Sequence, residues 1–133
     1  MRTVFLDTVG LIATWDEDDQ WHPLAEPVFR SLVQQRVRLV TMPLVLYECG
    51  NAAARKTYRS DVETFRRELA AFGDLIEPTA DELERAWADY ARGLADSAGI
   101  IDHISFGVMR RLGLSEAFTN DRHFRAARLY LLF

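Results

Sequence analysis

Val4-Phe5-Leu6 is an unbroken apolar run that stops at a carboxylate, Asp7. A run of this length without polar alternation predicts a strand buried on both faces, as found in parallel sheets covered by helices. Parallel strands need long crossovers, usually helical, so this one run already argues for an α/β architecture. Asp7 falls at the strand's carboxyl end, the edge where open α/β sheets bind ligands. Burying a carboxylate there is costly without a compensating charge, which makes Asp7 a candidate functional group.

The rest of the chain repeats the alternation. A short helix is expected over Val9–Ala13, then an acidic loop at Asp16–Asp19. That loop is no EF-hand, because Trp21 stands where the mid-loop glycine is required. A helix near Pro23–Gln35 carries Leu24, Val28, Phe29 and Leu32 on one face, followed by a strand at Arg38–Thr41. Pro43 starts a helix that bears Glu48. Ser60 with Glu63, and Thr79 with Glu82, have the spacing of capping boxes, and Gly73 ends the first of these helices. Leu75-Ile76 predict a short strand between them. A buried helix runs from about Ile101 to Gly113 with Asp102 in its first turn, where the helix dipole tolerates a negative charge. Ala117–Thr119 and Leu129–Phe133 predict two more strands, and Asp121 follows the first. No linker or low-complexity tract divides the 133 residues, so one domain over 1–133 is expected, with a mostly parallel central sheet between helical layers.

Asp7, Glu48, Asp102 and Asp121 all fall where strand ends or helix starts can feed one rim of such a sheet. Clustered carboxylates repel one another and call for a cation. An oxygen-rich, thiolate-free set suits Mg²⁺ or Mn²⁺, ions that activate water and offset charge developing on a phosphodiester. His103 and His123 flank two of the acids, but nitrogen is not the donor Mg²⁺ prefers, so structural or surface roles are expected for both.

Charge and cysteine content narrow the classes. A net charge of -4 argues against binding nucleic acid through an overall basic surface, though not against a local groove. Of 16 basic residues only Lys56 is a lysine; arginines such as Arg55, Arg59, Arg110, Arg111, Arg122, Arg125 and Arg128 suit bidentate contact with phosphate oxygens. The lone Cys49 excludes a disulfide framework and fits a small buried thiol. Neither a signal segment nor a membrane-spanning stretch is apparent, and a cytoplasmic location is expected.

Phe5-Leu6-Asp7-Thr8, the segment Leu44–Asn51 with Glu48, Asp102 with Ser105 and Phe106, and Thr119-Asn120-Asp121-Arg122-His123-Phe124 occur in an order and spacing that resemble PIN-domain proteins, especially VapC-type toxin ribonucleases of type II toxin-antitoxin systems. The resemblance runs through nearly the whole chain. It implies a three-layer α/β/α fold, a Mg²⁺ or Mn²⁺ site and endonucleolytic cleavage of RNA. Asp7, Glu48, Asp102 and Asp121 match the family's acidic quartet, with Asp7, Asp102 and Asp121 as metal ligands and Glu48 completing the site or positioning water. Thr8, Ser105 and Thr119 match supporting hydroxyls, and Asn51 an asparagine one turn after the glutamate. Gly99 stands where the family often has a serine before the third acid.

The resemblance also implies a homodimer and a cognate antitoxin that reaches into the acidic cleft. Interfaces are expected near Phe65–Phe72 or the Trp15–Trp21 loop. Competing classes fit less well: a haloacid-dehalogenase-type phosphotransferase needs a second aspartate where Val9 stands, and a response-regulator receiver needs a late lysine. The remaining alternative is a catalytically silent PIN-like module that binds RNA or protein.

Overall fold

Val4, Phe5 and Leu6 are fully buried in the computed structural model, which describes Met1–Phe133. They form the body of β1 (Thr3–Leu6), the second strand of an all-parallel sheet ordered β2-β1-β3-β4. β2 (Arg38–Val40) pairs along one edge of β1, with Phe5 opposite Val40, and β3 (Glu116–Phe118) pairs along the other, with Leu6 opposite Phe118. β4 (Tyr130–Leu131) adds to β3. The expected strand at Leu75-Ile76 reduces to a single parallel bridge between Thr41 and Leu75.

Eight helices make the connections. α1 (Thr8–Trp15) is longer than the sequence predicts and packs on α2 (His22–Gln34) and α3 (Pro43–Ala52), which in turn contacts α4 (Arg59–Ala71). α5 (Ala80–Ala91) packs on α7 (Ile100–Leu112), giving the three-layer α/β/α arrangement. Between them, α6 (Leu94–Ser97) is one turn in which Ala95 and Asp96 take left-handed conformations. α8 (Arg122–Ala126) links β3 to β4 and is too short to show in a hydrophobic period.

Several local signals act as their chemistry dictates. Thr79 and Glu82 form a reciprocal capping box at α5, and Gly73 and Gly113 take the left-handed conformation that ends α4 and α7. Ser60 and Glu63 do not form one. α4 begins two residues earlier, after Tyr58, because that ring is buried and stacks on Trp15 at 6.3 Å; Glu63 is instead bound by Arg66. In α2 the buried residues are Ala25 and Leu32, whereas Leu24 is exposed. Trp15 and Phe65 pack edge to face at 5.8 Å within the core margin, so of the expected interface aromatics only Trp21 and Phe72 face outward.

One contact sets the position of α1. A methyl group on Gly10 would stand 2.1 Å from the carbonyl oxygen of Phe118 and 2.6 Å from its Cδ2. Glycine alone lets the first turn of α1 lie this close to the end of β3. No helix is long and apolar enough to cross a membrane.

Candidate functional site

The strand order places a topological switch point beside β1. The crossover from β1 runs to β2 on one side, and the chain returns to β3 on the other, so the carboxyl ends of β1 and β3 border a crevice. Asp7 follows β1 and Asp121 follows β3. Asp102 enters from the first turn of α7, and Glu48 from the middle of α3.

Asp7 is the buried member, only 3% exposed. Thr119 donates its hydroxyl to Asp7 Oδ2 at 2.8 Å, and the same oxygen of Thr119 accepts the Asp121 amide at 3.1 Å. One side chain therefore ties residues that close β1 and β3. Burial pushes the Asp7 carboxyl up to about 7, the charges of Asp102 and Asp121 add to the rise, and the Thr119 and Thr8 hydrogen bonds oppose it. Asp102 is half-buried and stands at about 6, raised by burial first and then by Asp121 and Glu48, with His123 and the Gly99 backbone pulling it down. The four carboxylates thus feel one another across the crevice.

Asp121 caps α8, its Oδ1 accepting the His123 amide at 2.9 Å. The cap folds the His123 ring back toward the acids. Its Nδ1 lies 2.8 Å from Asp121 Oδ1 and 3.8 Å from Asp102 Oδ2. It is buried and lacks the alignment of a hydrogen bond to either. One ligand atom each from Asp102, Asp121 and His123 lies within 4.8 Å of the others. His123, expected at the surface or in a structural role, lies partly exposed at the edge of the crevice beside Asp102 and Asp121.

The hydroxyls expected to support the acids behave differently from one another. Thr8 donates to Glu48 Oε1 at 2.7 Å, holding an otherwise exposed carboxylate. Ser105 is buried and back-bonds to the Ile101 carbonyl at 3.0 Å, within its own helix. Asn51 is exposed and lines the groove between α3 and α4 with Tyr47 and Arg59; no hydrogen bond joins it to the acids. Cys49 is buried, and burial together with Asp7 and Glu48 pushes its thiol up to about 12, leaving it unreactive.

The donor set fits a divalent cation. Carboxylate oxygens in excess of local positive charge suit a hard ion, and the unpartnered imidazole nitrogen extends the fit toward Mn²⁺. Thr119 can be tested separately. Thr119→Val keeps the shape but leaves Asp7 and the Asp121 amide without their partner. The Asp7 carboxyl is expected to titrate still higher, and stability to fall by about 1–3 kcal/mol. Carboxyl-carbon NMR titration and urea unfolding read the two effects.

Compared with known proteins, residues 4–129 match the family model described as the PIN domain. The chain is similar to the Mycobacterium tuberculosis toxin VapC20, which cleaves the sarcin-ricin loop, with 25% identity, a TM-score of 0.75 and 95% of each chain covered. It also shares the fold of FitAB bound to a DNA fragment, with 15% identity, a TM-score of 0.70 and coverage of 96% of this chain and 92% of that one. For FitAcB from Neisseria gonorrhoeae the values are 13%, 0.63, 98% and 96%. No curated protein matches the sequence.

Proposed function

The chain belongs to the PIN-domain family, and from that premise we propose that it is a metal-dependent endoribonuclease and the toxin of a toxin-antitoxin pair. The observation that carries this is the crevice at the ends of β1 and β3. Asp7, Glu48, Asp102 and Asp121 share one another's charge there, and the His123 Nδ1 is left without a partner. The similarity to VapC20, a toxin that cleaves the sarcin-ricin loop, supports RNA as the substrate.

Asp102, Asp121 and His123 would hold Mg²⁺ or Mn²⁺, with Asp7 contributing directly or through water. The ion supplies Lewis acidity, making water a better nucleophile and offsetting the charge that builds on the phosphodiester. Glu48, held by Thr8, is the exposed carboxylate that orients the attacking water and receives its proton. Thr119 keeps Asp7 and the Asp121 loop in register. Arg122 and Arg125, exposed on α8 beside the acids, hold the RNA backbone. A homodimer and a cognate antitoxin that occupies the acidic crevice complete the proposed assembly.

The test is incubation of the protein with a structured RNA in Mg²⁺, in Mn²⁺ and in EDTA. Cleavage is expected with either ion, lost in EDTA and restored by excess Mn²⁺. Equal cleavage in EDTA would sink the metal-dependent reading. RNA that is retained but uncut in every buffer would point to the silent binding module.

A further inference from the structure

Beyond the acidic crevice, a concavity of about 610 Å³ opens between α6, α7 and the segment from α8 to β4. Its volume lies in the range of small-molecule pockets, and its walls are mainly apolar, formed by Leu94, Phe106, Leu114 and Leu129. The polar groups in it are few: His103, Asp89, Arg110 and Arg128.

Three features distinguish it from an ordinary surface dent. The first is its arginines. Arg111 is fixed to Glu82 at 2.8 Å, whereas Arg110 and Arg128 are exposed with no carboxylate partner. Two guanidiniums without a carboxylate partner among the lining residues can meet an anion. The second is His103, which lines both this concavity and the adjoining groove between α5 and α7, is 5% exposed, and whose Nε2 has no hydrogen-bond partner. A buried polar atom left unpaired is rare and costly. The third is backbone strain, since Ala95 (φ 53°) and Arg128 (φ 66°) are non-glycine residues in the left-handed region and both line the concavity.

The placement adds to the chemistry. On α7, His103, Phe106 and Arg110 form an i, i+3, i+7 stripe facing the concavity, while Asp102 belongs to the acidic crevice. α8 likewise offers Asp121 and His123 to the crevice at its start, and Ala126–Leu129 to the concavity just beyond its end. The same two helices wall both sites.

We propose that this concavity is a nucleotide subsite: it takes one base of an RNA strand against its apolar walls, with Arg110 and Arg128 on the adjoining phosphate. A nucleotide is a flat body bearing an anion, with a hydrogen-bonding edge that Asp89 and His103 can meet. The subsite would read a nucleotide of the strand away from the cut bond, and it rests on the nuclease reading above only for its place in cleavage. Binding itself is separable.

The experiment is an NMR titration of the full chain, without divalent ion, with AMP, CMP, GMP and UMP. Uridine and inorganic phosphate serve as probes of the base and the anion alone. The expected result is saturable shifts of Phe106, Leu114 and Leu129 signals by at least one nucleotide, with both partial probes about tenfold weaker or more. Arg110→Gln with Arg128→Gln is expected to weaken nucleotide binding about tenfold or more, and in cleavage to raise KM while leaving kcat near wild type. Unmoved signals, phosphate binding as tightly as nucleotide, or undiminished binding by the double variant would each overturn the subsite. If RNA is cut but no nucleotide binds, the subsite fails and the nuclease reading stands; if nucleotides bind but RNA stays whole, the reverse holds.

Discussion

Asp7→Asn is expected to lower RNA cleavage about a thousandfold or more, the equivalent of several kcal/mol of lost charge stabilisation. The same change is expected to make the metal-free protein more stable at pH 7.5. Both follow from one environment. The Asp7 carboxyl is moved from its ordinary value of 3.8 to about 7, chiefly by burial. Below pH about 4 it is protonated in the folded and the unfolded chain alike, and no penalty exists. Between about 4 and 7 the folded chain keeps a proton that the unfolded chain has released, so stability falls as pH rises. Above about 7 both forms are ionised and the penalty is complete, at most about 4 kcal/mol at 1.36 kcal/mol per pH unit. Asp102, at about 6, adds to the fall with the same sign. Asparagine has no such ionisation. Urea unfolding in EDTA across pH 4.5–8 should slope downward for the wild type and more weakly for Asp7→Asn. A divalent ion should restore the wild type at high pH and do little for the variant. Identical pH slopes for the two proteins would show that Asp7 does not carry the penalty.

Gly10→Ala is expected to be among the most damaging single substitutions outside the acids. The added methyl would meet the Phe118 carbonyl oxygen at 2.1 Å and the carbonyl carbon at 2.9 Å, which are backbone atoms with no rotamer to yield. Phe118 is fully buried, and its carbonyl accepts the Asp7 amide at 3.4 Å. Relief therefore requires α1 to lift or the ends of β1 and β3 to part. Overpacking of this kind costs about 3 kcal/mol, or a fall in Tm of about 10 °C in a chain of this size. Separation of the strand ends also pulls Thr119 from Asp7, so cleavage should fall even where the protein is still folded. Gly50→Ala is the control. Nothing lies within 4 Å of its added carbon, and in the interior of α3 alanine should stabilise by about 0.5–1 kcal/mol. A wild-type Tm for Gly10→Ala would contradict the close approach.

Features written locally were legible in the sequence. The apolar run ending at Asp7, the proline opening α3, the Thr79–Glu82 box and Gly113 all act through neighbours a few residues away, and each sits where its chemistry places it. Ser60 and Glu63 carry the same local signal as Thr79 and Glu82 yet form no cap, because the stacking of Tyr58 on Trp15 starts α4 earlier. Local propensity yields there to tertiary packing. The rest was illegible because its cause lies far along the chain. Gly10 reads as a helix-weakening residue until Phe118 is beside it, and His123 reads as a surface histidine until α7 brings Asp102 to 3.8 Å. That the four acids share one crevice was legible in residue type and order. Of the expected supporting residues Thr8 and Thr119 do bond to acids, whereas Asn51 lines the groove between α3 and α4, a distinction that depends on how those helices pack.

The hydrogen bond between Thr119 and Asp7 spans 112 positions of the chain. During synthesis, then, the first acid leaves the ribosome long before the residue that holds it, and Asp121 and His123 come later still. A growing chain has no complete crevice until β3 has slotted in beside β1, and contacts this distant in sequence are among the slowest to form. For a protein proposed to destroy RNA, that ordering is a safeguard: a growing chain that still lacks β3 holds only part of the cutting centre.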